Sequence, residues 1–133
     1  MKTLVVAAIR CSLILLVPIV TYATSAQCDL DPISGDWNTA AKWTPNGVPN
    51  DPADTAMFGL SNTTRVSISA YTALFVAING ITFTAAATNP YTITVNPRSE
   101  LTISGLGITN KSGIAQNFVT EPDGFSLRPG ALR

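Results

Sequence analysis

The chain of 133 residues contains no histidine. That excludes histidine-based catalytic triads and imidazole metal sites. Cysteine is nearly absent, with Cys11 and Cys28 the only two. Cys11 lies in an N-terminal segment that reads as a leader, so Cys28 remains without an internal disulfide partner. It also falls where the mature chain is expected to fray, which argues against a thiol catalyst. Charge is scarce as well: 12% of the residues, eight basic against eight acidic. The basic residues Lys42, Arg65, Arg98 and Lys111 are dispersed and form no patch for nucleic acid. No apolar run reaches the ~20 residues that a membrane-crossing helix requires.

What is present begins with an address. Lys2 and Arg10 flank apolar residues 4–9, a second apolar run covers residues 13–20, and the small residues Ala23, Thr24, Ser25 and Ala26 follow. A positive start, short apolar stretches and small residues at a cleavage point are the parts of a secretory signal peptide. The expected cut follows Ala26, with Ser25 the alternative, so residues 1–26 form the leader. Arg10 and Pro18 argue against a spanning anchor. A lipoprotein anchor at Cys28 is disfavoured because Gln27 stands where a small residue is wanted. The remaining 107 residues carry six basic and eight acidic side chains, and 40 of them are Thr, Ser, Asn or Gly.

Residues 27–54 are dense in turn formers: Pro32, Gly35, Pro45, Asn46-Gly47, Pro49, Asn50-Asp51 and Pro52. A long helix cannot survive that density. Asn38 or Thr39 is expected to cap one helical turn through Lys42. Trp37 and Trp43 flank that turn. Their flat rings suit a sugar-stacking platform, but with no histidine or carboxylate cluster nearby the preferred reading buries both against a first β layer.

From residue 55 the texture changes. Residues 55–58, 64–69, 73–78, 81–84, 91–95 and 100–104 are short runs rich in β-branched and aromatic side chains. Most alternate with period two, as in Val66/Ile68, Ile81/Phe83, Tyr91/Ile93/Val95 and Leu101/Ile103. Ser61-Asn62, Asn79-Gly80, Asn89-Pro90, Asn96-Pro97, Gly105 and Gly107 read as turns or breakers between them. The fold class is therefore all-β. Residues 55–119 are expected to form about three layers of ~20 residues each. Outward positions carry Thr and Ser (Ser67/Ser69, Thr82/Thr84, Thr92/Thr94, Thr102/Ser104) instead of the charges that guard sandwich edges. Such a surface suits a parallel solenoid, in which each layer is covered by the next; a small β-sandwich is the alternative.

The run Gly35-Asp36-Trp37-Asn38-Thr39-Ala40-Ala41-Lys42-Trp43, with Gly47-Val48-Pro49 and Asp54-Thr55-Ala56-Met57-Phe58, is followed by the strands named above and by Gly107-Ile108-Thr109-Asn110. This pattern resembles the N-terminal part of bacterial autotransporter-type passengers with autotransporter-associated β-strand repeats. The resemblance covers residues 35–119. It implies a short right-handed parallel β-helix with a Trp-containing N-terminal cap, exported to the cell surface or released, in transit through the periplasm. The expected role is that of an adhesin-like structural segment contacting a surface glycan or a host or matrix component, with further β-helix rungs in a full-length protein. The family carries no catalytic residues over. Residues 121–133 lose the alternation, so residues 120–133 are read as an irregular tail, consistent with a truncated or frameshifted fragment. The rival function is a small secreted carbohydrate-binding β-sandwich using Trp37 and Trp43.

Chemistry is sparse. Asp51 and Asp54 are the nearest approach to a glycosidase pair, but they sit in a Pro-rich loop. With Asp29, Asp31 and Asp36 they offer oxygen ligands to Ca²⁺, yet their spacing matches no calcium loop and solvated turn acids are the preferred reading. Gly105-Leu106-Gly107 lacks the third glycine and the helix of a phosphate-binding loop. No catalytic, cofactor or metal residue is assigned, no cofactor is expected, and the chain is not read as an enzyme.

Overall fold

A computed structural model of the chain describes residues 25–69 and 75–122. The alternating segments form strands β1 (Ala26–Cys28), β2 (Trp43–Thr44), β3 (Thr55–Phe58), β4 (Arg65–Ile68), β5 (Phe75–Phe83), β6 (Thr92–Val95), β7 (Glu100–Asn110) and β8 (Asn117–Thr120). Among the described residues the only helical piece is a 3₁₀ turn at Ala40–Lys42, just after Thr39. The fold is all-β.

Two sheets are built. One has the order β2-β1-β3-β5-β7, the other β4-β6-β8. From β3 onward the chain alternates between them, and every pairing is parallel except β1 with β2. Ala56 stands opposite Ile81 and Ile81 opposite Ile108, while Val66 stands opposite Ile93 and Ile93 opposite Phe118. Partners are thus 25 or 27 residues apart, longer than the ~20 expected from sequence. The connecting loops account for the difference.

Period-two alternation sorts the side chains as anticipated. Val66, Ile68, Ile81, Phe83, Ile93 and Val95 are buried, whereas Ser67, Thr82, Thr92 and Thr94 between them are partly exposed. Because the pairing is in register, inward residues stack in columns along both sheets. Each fully buried Ile, Val or Phe contributes about 1.5–3 kcal/mol of apolar transfer, offset by the entropy of ordering the chain.

Three local expectations are corrected. Asn79-Gly80 is not a turn: it lies inside the continuous strand β5. Gly105 and Gly107 do not end a strand either, because β7 runs through both. These residues mark a register shift between β5 and β7 where the two backbones come close. A Cβ on Gly80 would lie 2.9 Å from the Gly107 carbonyl oxygen, and Asn79 Oδ1 accepts the Leu106 N–H at 3.2 Å. Glycine here serves close approach inside a strand.

The third correction concerns Cys28. It is fully buried in β1, opposite Trp43, one residue beyond the segment of β1 that pairs with β3. Its position in a strand with partners on both sides is the reason it does not fray. Residues 1–24 of the leader, Ala73 and Leu74 of the expected strand 73–78, and residues 123–133 of the tail lie outside the described residues. Thr120, assigned to the tail, ends β8.

Candidate functional site

The most constructed part of the molecule is the region that closes the first strands. Gly35 accepts the Ser67 N–H at 3.0 Å, and Trp37 N–H donates to the Ser67 carbonyl at 2.9 Å. Residues 35–37 thereby add to the free edge of β4. A Cβ on Gly35 would lie 2.7 Å from the Arg65 carbonyl oxygen, so glycine is what lets the chain lie down there. The Ala40–Lys42 turn then carries the chain across to β2, which pairs antiparallel with β1. Among the described residues this antiparallel strand has no further partner, and it ends the parallel order on that side.

Trp37 and Trp43 are both fully buried, as the preferred sequence reading had it. Trp37 Nε1 donates to the Pro49 carbonyl at 3.0 Å, and Trp43 Nε1 donates to the Trp37 carbonyl at 2.8 Å. Neither ring offers a face to solvent. They instead begin an aromatic column: Trp37 to Trp43 at 5.0 Å between centroids, Trp43 to Phe58 at 5.6 Å, Phe58 to Phe83 at 5.4 Å, and Phe83 to Phe118 at 6.1 Å. Tyr91 joins it beside Phe58 at 5.0 Å and donates its hydroxyl to the Gly59 carbonyl at 2.8 Å. Burial, reinforced by the Cys28 sulfur, pushes the Tyr91 phenol well above its ordinary range.

Lys42 is also fully buried, its Nζ 3.4 Å from the Ser34 carbonyl oxygen and 6.0 Å from the Trp43 ring. Burial lowers its pKa from the usual lysine value, with Cys28 and Asp36 acting in the opposite direction. Of the four dispersed cations, Lys42 is therefore a component of the cap, while Arg65, Arg98 and Lys111 are exposed.

The aspartates do not converge. Asp29 accepts the Thr44 hydroxyl and Asp31 the Asn62 amide. Asp36 accepts the Asn38 N–H at 3.0 Å and Asp51 the Ala53 N–H at 2.9 Å. Asp54 takes the N–H groups of Asn50 and Asp51 at 3.0 and 3.1 Å. Among the described residues no group of three acidic, Cys or His side chains could hold a metal. The Pro-rich loop has another task. Asn50 Oδ1 accepts the Ala77 N–H at 3.0 Å, and the Asp54 carbonyl accepts the Asn79 N–H at 2.7 Å. Both cover the first half of β5 on the side where β3 does not reach.

The opposite end is built differently. Among the described residues β7 and β8 are the last strands of their sheets, and each has a partner on one side. Leu101 and Ile103 continue inward columns yet are half-buried. Ile108 is 47% exposed, Phe118 40%, Val119 42% and Leu106 73%. The alternation identifies Leu101 and Ile103 as inward positions; that they share the last described layer with Ile108 and Phe118 depends on sheet order, which no single strand reveals. A groove lined by Gln27, Leu30, Thr44, Pro45, Met57 and Leu60 lies beside β1, β2 and β3, at the closed end. Among the described residues no helix is long and apolar enough to cross a membrane.

No family model, no curated protein and no solved structure matches the chain.

Proposed function

We propose that the chain is the N-terminal end of an exported, non-enzymatic β-helix of the autotransporter-passenger type, acting as an adhesin-like structural segment at the cell surface. The observation that carries this reading is the asymmetry of the stack. One end is closed by β2 and two buried tryptophans; at the other, among the described residues, β7 and β8 each pair on one side and the apolar Ile108 and Phe118 are exposed. A right-handed solenoid accounts for parallel, in-register partners 25 or 27 residues apart that alternate between two sheets. A small sandwich assembled from hairpins would pair its strands antiparallel. The absence of histidine from the sequence, and aspartates engaged as turn acceptors, support a structural over a catalytic role.

In this reading residues 1–26 export the chain, residues 27–54 seal the first rung, and further rungs of a full-length protein take up the open end. Expression in a Gram-negative host with fractionation and N-terminal sequencing tests export. A product outside the cytoplasm that begins at Gln27 or Ala26 supports it; a cytoplasmic product beginning at Met1 contradicts it. Titration with soluble polysaccharides, followed by Trp fluorescence, tests the rival sugar-binding role. The buried rings predict no saturable quenching.

A further inference from the structure

We infer, resting on the exported-segment reading, that the leader is removed at the Ala23–Thr24 bond, upstream of the cut expected after Ala26, and that residues 24–26 belong to the mature fold. Hydrolysis there adds one water across the amide. Ala23 leaves with the leader as a carboxylate, and Thr24 gains the free amine.

A leader peptidase takes small residues at the last and third-last positions before its cut. Three bonds beyond the apolar run 13–20 meet that need: after Ala23, with Thr21; after Ser25, with Ala23; and after Ala26, with Thr24. Cutting precedes folding, so what separates the three is the product that folds afterwards. Ala26 is fully buried and begins an inward column that continues through Ala56, Ile81 and Ile108. Its pairing with Ala56 is one of the two residue pairs that join β1 to β3, the other being Gln27 with Met57. A cut after Ala26 deletes the foot of the column and half of that junction. A cut after Ser25 keeps Ala26 but puts a new α-amine on it. With an ordinary pKa of about 7.7–8.0, that amine is largely charged at neutral pH. Charge at a fully buried position is costly unless it is paired. A cut after Ala23 does neither harm. Ser25 is exposed, so the new amine starts one residue ahead of a solvent-facing position, and Ala26 stays inside the chain.

Expression of the full 133-residue chain in a Gram-negative host, with fractionation, N-terminal sequencing and intact mass, is the test. The expected product lies outside the cytoplasm and begins Thr24-Ser25-Ala26. Thr24→Leu with Ser25→Leu puts bulky side chains where the two downstream cuts require small ones, and leaves Thr21 and Ala23 in place. That double variant is expected to be cut after Ala23 in unchanged yield and to melt at the parent's temperature, since neither position belongs to the buried column. Ala23→Leu blocks the cuts after Ala23 and Ser25. It is expected to keep its leader, or to yield a Gln27 start with a lowered melting temperature. A parent product outside the cytoplasm that begins at Ala26 or Gln27 overturns this cut while leaving export standing. So does a double variant that keeps its leader, or a Gln27 start that melts like the parent. A cytoplasmic product beginning at Met1 overturns export and the cut together.

Discussion

Trp43 donates its indole N–H to the main-chain carbonyl of Trp37 at 2.8 Å, while the two rings meet edge to face with centroids 5.0 Å apart. One residue thus satisfies the backbone of the other and packs against its side chain. The five residues between them hold the 3₁₀ turn that brings the chain from the edge of β4 to the edge of β1. The pair therefore ties both sheets together at the place where the parallel order begins.

Replacing either tryptophan with alanine is expected to cost about 3–5 kcal/mol, since each leaves a large cavity at the head of the aromatic column. Loss of cooperative unfolding or aggregation would follow in a domain this small. Trp43→Phe, which keeps most of the volume but loses the N–H, is expected to cost about 1–3 kcal/mol. Urea melts followed by circular dichroism measure both, and an unchanged midpoint for Trp37→Ala contradicts the role given to the cap.

Gly35→Ala tests how the cap is docked. The added Cβ would sit 2.7 Å from a backbone oxygen, which cannot move aside as a flexible side chain could. A loss of about 1–3 kcal/mol is expected. Gly113, where an added Cβ meets nothing within 4 Å, is the comparison site despite its φ of +75°. There asparagine, which tolerates the left-handed region, is expected to be nearly neutral.

Lys42 and Tyr91 give the fold a pH signature. Burial holds the Lys42 pKa below the ordinary value of 10.5, so between its folded value and 10.5 the unfolded chain binds more protons. Its contribution to stability therefore rises with pH across that window. Tyr91 has the opposite sign. Its folded pKa lies above the ordinary 10.0, so above that pH the unfolded chain alone ionises and stability falls. Lys42→Met is expected to raise the melting temperature at neutral pH and to flatten the rise below pH 10.5. Tyr91→Phe is expected to flatten the fall above pH 10.0. Thermal melts across the alkaline range check both slopes.

Much of this was legible before any coordinates. Val66/Ile68 and Ile81/Phe83 announce their inward faces through period-two spacing, and the Thr and Ser positions between them announce the outward one. The burial of Trp37 and Trp43 followed from the lack of polar chemistry around them. Asn79-Gly80 misled because the same dipeptide serves a hairpin turn and a close approach of two strand backbones; only the partner at Gly107 distinguishes them. Cys28 misled because position near a cleavage site says nothing about strand partners 15 or more residues away. The open end was hidden for a related reason. Ile108 and Phe118 look like core residues in sequence, and their exposure goes with lying on the last described strand of each sheet.

The in-register parallel stack underlies every claim made for this chain, and cysteine cross-linking tests it most directly. Ser67 and Thr94 are partners across β4 and β6, both on the outward face. Adjacent strands about 4.8 Å apart place two such cysteines within the ~4.4–6.8 Å between Cα atoms that a disulfide accepts. The account predicts rapid oxidation of Ser67→Cys/Thr94→Cys to an intramolecular disulfide without loss of melting temperature, and little cross-linking of the shifted pair Ser67→Cys/Thr92→Cys. Equal cross-linking of both pairs, or of neither, would contradict it.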